Sequence, residues 1–204
     1  MGLINNSIKS FIWNVLGAGI GFIFQMIAAR LLGAEKFGQA NYLLGYVATI
    51  TVFTSFGLQT YLPKYISKNN SKKLFSDIFW TYTSLFIIAN IGIVLIFYGI
   101  KIKTINIIII SILSYLTTLS EIILIYNISS GKAVLGMFNR KFLYSTLNLI
   151  IFVLSFIALS NKYYIYVGTM IISYIITTIP FIVKNVSKIK VNFLIIKNSI
   201  GFYA

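Results

Sequence analysis

Along this chain, apolar stretches about as long as a bilayer is thick alternate with short polar breaks. About 20 apolar residues in helical form span the hydrocarbon core. Runs of that kind lie at 11–32, 40–62, 77–99, 105–128, 142–160 and 163–183, which predicts six transmembrane helices. Many of their residues are Ile, a strand former in water. Within lipid every backbone N–H needs a local acceptor, so runs this long become helices. The first run has too long an apolar core for a secretory signal, and further spans follow it. The opening segment lacks the Ser or Thr that an N-myristoylation site carries at the position of Asn6.

Polar residues recur on single faces of these helices at three- and four-residue steps. Span one carries Asn14, Gly17, Gly21 and Gln25, and span two Asn41, Gly45, Ala48, Ser55 and Gln59. Span three carries Ser76, Thr83 and Asn90, and span four Ser111, Ser114, Thr118 and Glu121. Span five offers Ser145, Asn148 and Ser155, and span six Tyr166, Thr169, Ser173 and Thr177. Small and hydroxyl residues let membrane helices approach closely, and Gly17-x-x-x-Gly21 is a familiar form of that contact. For any one stripe, packing is the stronger reading. Six stripes together also fit helices that surround a water-filled cavity for a polar substrate. No filter sequence and no ring of charges points to a channel.

Composition sharpens the membrane reading. Of 204 residues, 58% are hydrophobic and only 10% charged, and the mean hydropathy is +0.91. Too few charges exist to cover a soluble surface. Cys and His are absent, and Glu35, Asp77 and Glu121 are the only acids. That excludes thiol and imidazole catalysis, Cys/His zinc sites and carboxylate-rich metal sites, so no metal, cofactor or enzymatic activity is expected. The glycines from Gly17 to Gly21 are no dinucleotide fingerprint, because Phe22 stands where the third glycine belongs; a Walker A sequence is missing as well.

A net charge of +14 raises the question of nucleic acid. The basic residues sit instead in clusters between spans, the habit of cytoplasmic loops in membrane proteins. One side collects Lys9, then Lys64, Lys68, Lys72 and Lys73, then Lys132, Arg140 and Lys141, then Lys184, Lys188 and Lys190. The other holds Arg30, Lys36, Lys101, Lys103 and Lys162. This bias predicts a cytoplasmic N-terminus. Residues 1–192 read as a six-span lobe, and 193–204 as the incomplete start of a seventh span. The tail from Ile196 to Phe202 weakly echoes the start from Ile8 to Trp13, as the opening of a second, repeated half would.

Two ionisable residues belong to the spans. Glu121 lies inside span four, where a charge costs about 2.5–3.5 kcal/mol at the helix centre. It is protonated, paired or hydrated there, and is the candidate for coupling transport to a cation. Arg30 ends span one, either snorkelling to headgroups or gripping phosphate oxygens with its guanidinium fork. The two are expected toward opposite leaflets, not as a salt bridge. With Arg30, the amides Asn14, Gln25, Asn41, Gln59, Asn90 and Asn148 are the candidate substrate-binding residues.

The run Ala28-Ala29-Arg30-Leu31-Leu32-Gly33-Ala34-Glu35-Lys36-Phe37-Gly38 resembles the ARxLGxxxFG signature that follows the first helix of Wzx-type oligosaccharide flippases. These belong to the multidrug/oligosaccharidyl-lipid/polysaccharide exporter superfamily. Phe56-Gly57-Leu58-Gln59 with Tyr65-Ile66-Ser67, and the Gly131–Lys141 loop ending Met137-Phe138-Asn139-Arg140-Lys141, are similar to that family's later segments. The resemblance implies an all-α polytopic membrane helix bundle, with six transmembrane helices forming the N-terminal lobe of a two-lobed transporter. It implies movement of undecaprenyl-diphosphate-linked oligosaccharide across the bacterial plasma membrane for surface polysaccharide biosynthesis. The implied partners are the lipid-linked oligosaccharide, membrane lipid and either a C-terminal lobe or a second copy, with no nucleic acid. Two alternatives stay open: a cation-coupled exporter of small molecules from the same superfamily, and a membrane assembly protein that transports nothing.

Overall fold

The structure, a computed structural model, describes residues 2–55, 57–68, 73–158, 162–186 and 195. Among them no strand occurs. The helices are α1 (Gly2–Leu32), α2 (Ala34–Thr54), α3 (Leu58–Lys68), α4 (Lys73–Gly99), α5 (Thr104–Ser129), α6 (Ala133–Met137), α7 (Tyr144–Ala158) and α8 (Lys162–Asn185). A π segment, Phe138–Leu143, joins α6 to α7, so these three form one span-length helix. Among the described residues five helices are long and apolar enough to cross a membrane, or six if α2 and α3 form one bent span. The chain is therefore an all-α polytopic helix bundle, as the apolar runs predict. The expected start of a seventh span at 193–204 lies outside the described residues, apart from a buried Ile195. Lys72, Lys188, Lys190 and Lys197 lie outside them too.

Two expectations need correction. Span two is not one continuous helix from 40 to 62. It starts at Ala34, ends at Thr54 and resumes at Leu58 with a 49° bend. Gly57 sits at φ 70°, a left-handed conformation that ends a helix. Just before it, Thr51 and Thr54 donate to the carbonyls of Val47 and Ile50, and Ser55 to that of Val52. Such back-bonding bends helices. The second correction concerns residues 131–141. Only Ser130 to Lys132 are non-helical there, and Arg140 and Lys141 lie inside a helix.

The most extensively buried helix is α5, with Ile110, Leu113, Leu119 and Ile122 nearly inaccessible. One apolar cluster joins it to α1, α2, α7 and α8 through Phe24, Ala28, Val47, Phe152 and Tyr166. A second joins its other half to α3 and α4 through Leu58, Leu62, Phe75, Ile78 and Tyr82. On α3 the buried positions Leu58, Leu62 and Ile66 recur every four residues, while Pro63 and Lys64 are exposed. The exposed faces of the long helices are apolar: Ile87, Ile88, Ile91 and Leu95 on α4, and Ile172, Ile175, Ile176 and Ile179 on α8. A bundle solvated by lipid needs this inversion, because its backbone is already satisfied within the helices.

Gly17 shows why small residues line α1. An added Cβ there would overlap the carbonyl carbon of Lys141. The α1 backbone thus rests directly on the π segment, and Gly21 lies beside Ser145 one turn further along. Trp13 completes the seam, its ring 4.9 Å from that of Phe138 and 4.8 Å from that of Phe142. For this stripe, packing accounts for the glycines.

Candidate functional site

Glu121 finds its partner in the next span-length helix. Arg140 Nη2 donates to Glu121 Oε1 at 2.7 Å, linking the last third of α5 to the π segment. Both side chains are largely withdrawn, Arg140 at 15% exposure and Glu121 at 27%. The guanidinium carbon also lies 5.4 Å from the Tyr144 ring centroid and 5.3 Å from that of Tyr174. Those rings stack on each other at 4.2 Å, forming an aromatic wall that favours a desolvated cation. Sequence reasoning placed Arg140 with the loop charges and so missed this pair. The signal was available: a carboxylate within a span needs a cation, and Arg140 lies in the next helix of the same hairpin.

On its other side Glu121 faces a cavity of about 420 Å³. Ala48, Thr51 and Ser55 from the end of α2 line it, with Gln59 and Thr60 from the start of α3 and Thr117 from α5. The bend at Gly57 opens this space, because a straight α2 would carry Gln59 onward along its own axis. The structure therefore brings together the α2 stripe (Ala48, Ser55, Gln59) and the α5 carboxylate. Arg140 stands behind the carboxylate, not in the cavity lining.

The other candidates go elsewhere. Arg30 is exposed in the last turn of α1. Since α1 ends where α2 begins and Glu121 sits beside the end of α2, they are about 30 Å apart along a 21-residue helix. That agrees with the expectation of no salt bridge. Asn14 is exposed on α1, and Asn41 is exposed with its amide donating to Phe37 O at 3.0 Å. Gln25 accepts from the Tyr166 hydroxyl at 3.0 Å, tying α1 to α8. Asn148 is buried with its amide oxygen unpartnered among the described residues, as are the Asn90 amide nitrogen and the Ser111, Ser114 and Ser173 hydroxyls. Several stripe hydroxyls are satisfied within their own helix: Thr118 donates to Ser114 O, Thr169 to Tyr166 O and Thr177 to Ser173 O. Among the described residues, the stripes of α2 and α5 meet in one cavity.

A polytopic α-helical bundle with apolar outer faces is the architecture of an integral membrane protein. The chain belongs to the polysaccharide biosynthesis protein family, whose sequence profile matches residues 3–201. It is also similar to an uncharacterized membrane protein of Methanocaldococcus jannaschii, with 32% identity over 68 residues. That match covers 33% of this chain and 16% of the archaeal protein. No solved structure gives a significant match.

Proposed function

We propose that this chain is one lobe of a flippase that moves undecaprenyl-diphosphate-linked oligosaccharide across the plasma membrane for surface polysaccharide biosynthesis. The observation that carries this reading is a family match over nearly the whole chain in a bundle whose polar cavity contains a carboxylate. Hydroxyls and amides such as Thr51, Ser55 and Gln59 suit sugar hydroxyls, and the apolar outer faces suit a polyprenyl tail left in lipid. A second lobe, C-terminal or from another copy, would close the cavity and provide alternating access. The loop charges favour a cytoplasmic N-terminus. Arg140, although withdrawn from the loop, does not reverse that bias. Arg30, at the outer end of α1, would then engage diphosphate on the outer side.

Glu121 is the proposed coupling residue. Protonating it removes one side of the Arg140 pair and frees both groups to rearrange, whereas a bound cation competes with Arg140 for the carboxylate. The test is deletion of the gene in its native host. Lipid-linked sugar precursor should accumulate on the cytoplasmic face and surface polysaccharide should fall. Normal precursor levels with unchanged polysaccharide would refute the reading. Complementation by E121Q across proton and sodium gradients tests the coupling role separately: wild-type transport throughout would leave Glu121 a packing residue.

A further inference from the structure

A second cavity, of about 620 Å³, lies at the other end of α2. Lys36 and Gln39 come from the start of α2, Lys103 and Asn106 from the start of α5, and Tyr163 and Tyr164 from the start of α8. Leu43 and Ile110, both nearly inaccessible, form its floor. Its volume falls within the range of small-molecule sites. At about 100° per residue, the α2 positions lining it (Lys36, Gln39, Leu43, Tyr46) and those lining the Glu121 cavity (Ala48, Thr51, Ser55) fall on different flanks of that helix. The two cavities are therefore separate sites.

Three features of this cavity favour an anion. Lys36 and Lys103 reach it from different elements, and its lining contains no carboxylate. The nearby Glu35 accepts from Gln39 at 3.3 Å, and neither lysine forms an ion pair among the described residues. The first turns of three helices converge here, each bringing the positive end of its dipole. Tyrosines also crowd the rim, where rings and hydroxyls together suit the boundary between lipid and water. Lysine charge at that boundary attracts anionic lipid headgroups.

We propose that this cavity binds the phosphate of an anionic membrane lipid, with Lys36 and Lys103 gripping the phosphate and a hydroxylated substituent lying against Tyr46 and Tyr163. Two lipids share that chemistry: a phosphoglycerol phospholipid and a polyprenyl-diphosphate sugar. The first requires no transport, so the site stands or falls independently of the flippase reading.

The experiment is native mass spectrometry of the full chain, released from micelles with phosphatidylglycerol or phosphatidylcholine of identical acyl chains. Phosphatidylglycerol should be retained preferentially. In K36Q/K103Q its affinity should drop about 25-fold, as two lysines of about fivefold each imply, while K36R/K103R retains it. Added polyprenyl-diphosphate sugar that displaces phosphatidylglycerol from the wild type, but fails to bind K36Q/K103Q, would identify the substrate lipid as the occupant. Displacement by neither that lipid nor soluble glycerophosphate would identify the phospholipid. Equal retention of both phospholipids, or unchanged retention in a folded K36Q/K103Q, would overturn the proposal. Should that variant fail to fold, a salt titration of the wild type decides. Salt must weaken phosphatidylglycerol retention selectively, and a salt-independent preference also overturns it.

Discussion

Removing either member of the Arg140–Glu121 pair should harm the fold more than removing both. In E121M the guanidinium loses the carboxylate 2.7 Å away and keeps only the two tyrosine faces, while 85% of its surface stays withdrawn. Orphaning one partner of a fully buried pair costs about 3–5 kcal/mol. With the exposures here, we expect about 2–4 kcal/mol for E121M. R140M strands Glu121 instead, but that carboxylate borders an open cavity and can hydrate. Adding the lost cation–π contacts at about 0.5–2 kcal/mol, R140M should cost about 1–3 kcal/mol. The double variant E121M/R140M replaces both charges with apolar groups of similar length and should cost about 1 kcal/mol, giving a coupling energy of about 2 kcal/mol or more. SDS-induced unfolding in mixed micelles, followed by circular dichroism, measures all three. Additivity within about 0.5 kcal/mol would refute the pair as an energetic link and leave the 2.7 Å contact incidental.

Gly17→Ala places a methyl against the Lys141 backbone, which has no side-chain freedom to yield, and should cost about 1–3 kcal/mol in the same assay. Gly19→Ala, with open space around it, should be neutral or stabilise slightly. Tyr166→Phe and Gln25→Ala should each cost about 0.5–1.5 kcal/mol. Their effects should be non-additive, and transport per folded molecule should be unaffected if Gln25 serves the α1–α8 contact rather than substrate; a specific transport defect in Gln25→Ala would restore it as a binding residue. Reporter fusions after Lys73, Lys132 and Lys184 should read cytoplasmic, and fusions near Lys36 and Lys103 external, with the reverse pattern overturning the orientation.

The apolar runs made the architecture legible, since length and hydropathy alone define a membrane helix. The break in span two was harder to read. Ser55 looks like part of a polar stripe until one asks where its hydroxyl donates, and like those of Thr51 and Thr54 it donates to its own helix, just before Gly57. Gly17 was readable as a contact residue because a glycine repeat at four-residue spacing has few other uses in a membrane. Gln59 and Glu121 were legible as polar positions, yet nothing in their spacing says that they share one cavity. That depends on the bend at Gly57. Arg140 was misread for a definite reason: basic residues near a hydrophobic run are normally loop charges, and only the need of Glu121 for a cation argues otherwise.

The π segment is where that need is met. Hydroxyls can enter a membrane helix cheaply, because they can donate a hydrogen bond to a carbonyl three or four residues back, as Thr118, Thr169 and Thr177 do. A carboxylate has no such local remedy and must be met by a group from another helix. Arg140 meets Glu121 while its neighbour Lys141 lays its backbone on Gly17 and while Phe138 and Phe142 flank Trp13. These contacts face two different helices, α5 and α1, from six consecutive residues. A regular α turn advances about 100° per residue and fixes the angles between them. The widened π turn changes that register, and π segments recur at functional sites. The Glu121 ion pair and the close contact at Gly17 are therefore joined through one short stretch: a backbone movement of the π segment that separates Arg140 from Glu121 would also disturb the seam between α1 and Lys141.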